Sequence, residues 1–166
     1  MPDSALAQDF HTSDASFYQK MNAMEKYIVR KEIHINATPE EVWDALTNPE
    51  KTRQYFFHSK VYSDWKPGSR ITFKGKLFFF FNFEMSGTIL EIEPHRLLKY
   101  NLKNTKSSSI STVTDELRYK NGMTTLSVTD DVGQGEGAEK RYQKSEKGWD
   151  KVLNGLKELV ESSKVR

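Results

Sequence analysis

In GWDKVLNGLKELVE, residues 148–161, the side chains Trp149, Val152, Leu153, Leu156, Leu159 and Val160 fall at i, i+3, i+4, i+7, i+10 and i+11. That is one broad apolar stripe on a helix, which the pattern extends over 138–163. Upstream, most of the chain alternates apolar with polar residues in runs joined by turn signals, the mark of strands with one buried face. Consecutive antiparallel strands need a cover, and the terminal helix is the only large apolar stripe available. The expected architecture is α+β: an antiparallel sheet of about six to seven strands, strongly curved around a long C-terminal helix. Such a sheet leaves a cavity wherever side chains do not fill the space beneath the helix.

The strand pattern can be followed in detail. In ISTVTDELRYKNGMTTLSVTDD, 110–131, Asn121-Gly122 marks a type I′ hairpin turn. A two-residue loop there pairs Lys120 with Met123, Leu117 with Leu126 and Val113 with Asp130. YIVRKEIHINA, 27–37, is a strand with Val29, Ile33 and Ile35 on its apolar face and Lys31 as the exception. In ATPEEVWDAL, Thr38 is a helix cap, Pro39 suits the first helical position, and Glu40 and Glu41 suit the positive end of the dipole. Asn48-Pro49 ends that short helix and PEKTRQYF begins a second. KVYSDWKPGSRITFKG follows as strand, turn and strand, and further strands run to Pro94 and over 96–104. Ahead of all this, 1–26 is a leader. Its 13–26 portion is either a tail or a short helix capped by Thr12 or Ser13, with Phe17, Met21 and Met24 on one side. In the terminal helix Gly148 and Gly155 each cost up to about 1 kcal/mol against alanine. They are either tolerated exposed positions or room for something close to the helix.

Composition excludes several kinds of function. The chain has 166 residues, 36% of them hydrophobic and 29% charged, which suits one domain with a core. Its formal charge of +2, from 25 basic and 23 acidic residues, gives no electrostatic reason to expect nucleic acid. With no cysteine, disulfides and thiolate chemistry are excluded, and the four histidines lack ligand spacing, so no metal or cofactor is expected. No run reaches the roughly 18 apolar residues of a membrane span. The N-terminus lacks the features of a secretory signal, so a cytoplasmic protein is expected.

KLFFFFNF, 76–83, breaks the alternation, because it is apolar on both strand faces. Phe79, Phe81 and Phe83 share parity with Phe73 and Met85, whereas Phe78 and Phe80 take the other side. Burying a Phe side chain is worth about 1.5–3 kcal/mol, so the second pair needs a cover. The candidates are a curled hairpin tip, the Phe17/Met21/Met24 stripe, a second copy in a homodimer, or a partner protein. Asp115 shares parity with Val113 and Leu117, an apolar face. Either it lines a partly wet pocket or a bulge turns it outward. Asp130 shares parity with Leu126 and Val128, and is either at a cavity mouth or a solvated strand end.

INATPEEVWDALTNPEKTRQYF (35–56), WKPGSRI (65–71), GTILEIEPHRLLKYNL (87–102), STVTDELRYKNGMTTLSVT (111–129) and GWDKVLNGLKELVE (148–161) together resemble the START-like helix-grip (SRPBCC) superfamily. The resemblance is closest to the branch of proteins like the activator of the 90-kDa heat-shock protein ATPase, and covers 27–163. It implies a helix-grip domain of the kind many bacterial proteins consist of. It also implies that Tyr55, Phe56, Phe57 and His58 lie at a cavity entrance. The first functional expectation is a binding module for a small apolar molecule. Its cavity would be lined by Phe56, Phe83, Met85, Tyr100, Val113, Trp149, Val152 and Leu156, with Asp115 as the polar group. A second expectation is a chaperone-activator-like interaction module using Phe78 and Phe80. A third is a cyclase or aromatase-type enzyme, for which Asp115 is the one good acid or base. No catalytic residue is assigned.

Overall fold

A computed structural model describes residues 9–77, 81–103 and 109–163. The chain runs α1 (Asp9–Glu25), β1 (Ile28–Ile35), α2 (Pro39–Thr47), α3 (Pro49–Tyr55), β2 (Ser59–Ser63), β3 (Arg70–Leu77), β4 (Phe81–Glu93), β5 (Leu97–Lys103), β6 (Ile110–Lys120), β7 (Met123–Asp131) and α4 (Ala138–Ser162). The seven strands form one curved antiparallel sheet in the order β1-β7-β6-β5-β4-β3-β2. This is the α+β architecture that the terminal helix implies. No helix among the described residues is long and apolar enough to cross a membrane.

Local chemistry sets the elements. Thr38 Oγ1 accepts from the Glu41 amide while the Glu41 carboxylate accepts from the Thr38 amide, a closed capping box at the start of α2. Asn48 ends α2 and caps α3, its side chain accepting from the Glu50 amide at 3.0 Å. The Asn121-Gly122 turn sets the β6–β7 register at Lys120↔Met123, Leu117↔Leu126 and Val113↔Asp130, as the two-residue loop requires. One irregularity is not announced by the sequence. The β4–β5 register shifts between Ile89 and Glu91. A bulge there exposes Leu90 and lets both Ile89 and Ile92 face the core, although they are three residues apart.

The core forms between the sheet and α4. Trp149, Val152, Leu153, Leu156 and Val160 are buried on α4, which packs against β1, α2 and α3. Ile35, Val42, Ile71, Ile89 and Leu126 are fully buried opposite and around it. Gly155 makes room for α3: a β-carbon there would stand 3.0 Å from Tyr55 Cβ. Gly148 faces the Phe57 ring, at 3.4 Å from such a β-carbon. Both glycines therefore provide space for the aromatic corner that ends α3.

Two features of the leader and the phenylalanine run differ from, or fall outside, the expectation. Helix α1 spans Asp9–Glu25, against the stretch 13–26 for which a tail and a short helix are the two alternatives. Phe17 and Met21 are exposed. Phe78 and Phe80, the expected contact surface, lie outside the described residues.

Candidate functional site

The corner after α3 brings the site together. Tyr55 and Phe56 turn inward, both buried, and the Tyr55 hydroxyl donates to the Ala45 carbonyl at 2.8 Å. Phe56 stacks on Phe73 at 4.7 Å between centroids and meets Trp149 edge-on at 6.2 Å. Phe57 and His58 then follow with φ of 48° and 55°, the left-handed region that non-glycine residues seldom enter. That turn throws Phe57 outward, where it remains exposed and borders a cavity.

The cavity holds about 420 Å³ between the sheet and the first half of α4. Its apolar wall comes from Phe56, Phe83, Met85, Tyr100, Val113, Trp149 and Val152, seven of the residues expected there. The structure places the other two elsewhere. Asp115 and Leu156 line a separate void of about 20 Å³. Phe56, Tyr100, Trp149 and Val152 border both spaces and form the partition. Asp115 is buried, its Oδ1 has no hydrogen-bond partner, and burial pushes its carboxyl up to about 7. No bulge turns it outward, since β6 pairs regularly with both neighbours. The void beside it is about one water in size.

Asp130 is the carboxylate at the large cavity. It is 7% exposed and not a solvated strand end. Ser145 donates to its Oδ2 at 2.5 Å, and the Trp149 indole donates to the same oxygen at 3.0 Å. Burial raises its proton affinity, and those two donors partly oppose the rise. The other polar lining residues include Lys103, Ser111, Arg141 and Lys144. Sequence reasoning missed Arg141, Lys144 and Ser145 because they precede the apolar stripe. Their spacing from Gly148 and Trp149 on one helix was the available signal.

A curved antiparallel sheet gripping a long C-terminal helix, with a cavity between them, defines the helix-grip class. The chain belongs within it to the family of activator of Hsp90 ATPase homolog 1-like proteins, whose family model matches residues 36–161. Among solved structures, ChR145 from Cytophaga hutchinsonii is 32% identical, with 84% of this chain and 97% of that one covered and a TM-score of 0.67. The AHSA1-like protein from Aeromonas hydrophila is 20% identical over 84% and 95% of the two chains, with a TM-score of 0.69. CalU16 from Micromonospora echinospora is 22% identical over 80% and 72%, with a TM-score of 0.61. The last two likenesses are of fold alone. No curated protein matches the chain.

Proposed function

We propose that the protein is a binding module for a small, largely apolar molecule held in the cavity between the sheet and α4. The observation that carries this reading is the cavity itself, about 420 Å³ with aromatic and aliphatic walls. Ligand sites typically span about 300–1,000 Å³ and show such walls with few polar groups. Asp130 supplies one fixed polar group at that wall. Asp115, the residue an enzymatic reading would use, borders only the one-water void. That favours binding over acid–base chemistry on a substrate.

Titration with the neutral fluorophore N-phenyl-1-naphthylamine tests the reading. Saturable binding of one probe per chain is expected. Met85→Trp, which fills the cavity from a half-buried position, should weaken it by about tenfold or more. Binding unaffected by Met85→Trp would place the probe elsewhere and remove the support. Native mass spectrometry of protein purified from cells, repeated after denaturation, would give the mass of a natural occupant.

A further inference from the structure

Resting on that reading of the cavity, we infer that its natural ligand is an amphiphile with an anionic group, held at the mouth by Lys103, Arg141 and Lys144. The three cations come from two elements, the end of β5 and the first half of α4, and all line the one cavity. None of them forms an ion pair among the described residues. Elsewhere Lys31 reaches Asp150 at 2.8 Å and Lys51 reaches Asp44 at 2.6 Å. Being unpaired is common among the lysines of the domain; what sets these three cations apart is that they converge on one apolar cavity.

Arg141 is the fixed member of the three, tied to the loop that precedes α4. Its guanidinium donates to the carbonyls of Val132, Gly133, Gln134 and Glu136 at 2.9, 3.3, 3.1 and 2.7 Å. Those carbonyls fix the group in place without neutralising it. It stands in the first turn of α4, where positive charge opposes the helix dipole, so helix stability does not account for it. Of the acidic residues that share the lining, one is already ion-paired, and the other is held by neutral donors on a single oxygen while its Oδ1 is buried without a partner among the described residues. Glu84 pairs with Arg70 at 3.0 Å and Lys74 at 3.6 Å. Asp130 accepts from Ser145 and Trp149. A fixed cation and two long lysines around an apolar cavity suit a carboxylate or sulfonate on an apolar body. The same cations disfavour an amine.

The test compares 8-anilinonaphthalene-1-sulfonate with N-phenyl-1-naphthylamine, which share a ring system and differ by the sulfonate. At low salt the sulfonate should bind about tenfold or more tightly, and added salt should shrink that advantage. In the Lys103→Gln/Lys144→Gln double variant the ratio of the two affinities should fall to about threefold or less. The ratio is the readout, because general damage to the fold weakens both probes. Equal binding of the two probes to the unmodified protein would overturn the anion inference and leave the cavity reading standing. A sulfonate preference that survives the double substitution would overturn its placement at this mouth. Failure of both probes to bind would overturn the cavity reading and the inference with it.

Discussion

Asp115 and Asp130 share one sheet face and meet different surroundings. Asp130 has two donors on its Oδ2 and borders a wide cavity, whereas Asp115 borders a one-water void; each keeps a buried Oδ1 without a partner among the described residues. The consequence for Asp115 can be signed. Its carboxyl holds its proton up to about 7 in the folded protein, against 3.8 ordinarily. Between those values the folded state binds more protons than the unfolded one, so stability falls as pH rises from about 4 to about 7. The full loss is roughly 4 kcal/mol and levels off above that range. Asp130 is shifted in the same direction and adds to the slope. Asp115→Leu should therefore be more stable than the parent at pH 8, by about 1–3 kcal/mol after repacking costs, with a smaller gain at pH 5. Urea unfolding at the two pH values measures it, and a parent stability that is flat between them would refute the account. Strand parity told which face both carboxylates take. It could not tell their depth, because the partition between the two spaces is made by Phe56 and Trp149 from distant parts of the chain.

Elements were legible where a local rule binds strongly. The Thr38 capping box, the Asn48-Pro49 break and the Asn121-Gly122 turn each follow from two to four adjacent residues. The bulge near Leu90 and the left-handed turn at Phe57-His58 have no such signature, since no glycine marks either. Tertiary packing imposes them. Helix α4 offers a paired test of packing against propensity. Gly148→Ala meets the tip of a movable ring at ordinary contact distance, so it should stabilise the protein by up to about 1 kcal/mol. Gly155→Ala presses on Tyr55 Cβ at 3.0 Å, next to the backbone of α3, and should lose about 1–2 kcal/mol in spite of the same propensity gain. Thermal melts of the two variants should move in opposite directions. Ser145→Ala should cost about 1–3 kcal/mol by removing one of the two donors that tie α4 to Asp130 on β7.

At the scale of the whole domain, a ligand that binds only the folded state adds to its stability by mass action. N-phenyl-1-naphthylamine at 100 times its dissociation constant should contribute about 2.7 kcal/mol and raise the melting temperature accordingly. Met85→Trp at the same probe concentration should show a clearly smaller rise, which differential scanning calorimetry would record.

The sheet order has a further consequence, for the ribosome. Strand β1 finds its partner only in β7, with Ile28 opposite Asp131 and Ile35 opposite Thr124. The six later strands can pair with their neighbours as they emerge, hairpin by hairpin. The first strand must wait until all six later strands have been made, and helix α4, which seals the core, emerges after them. Until then a nascent chain carries an orphaned β1 and an uncovered sheet face, the exposure that recruits chaperones and invites aggregation.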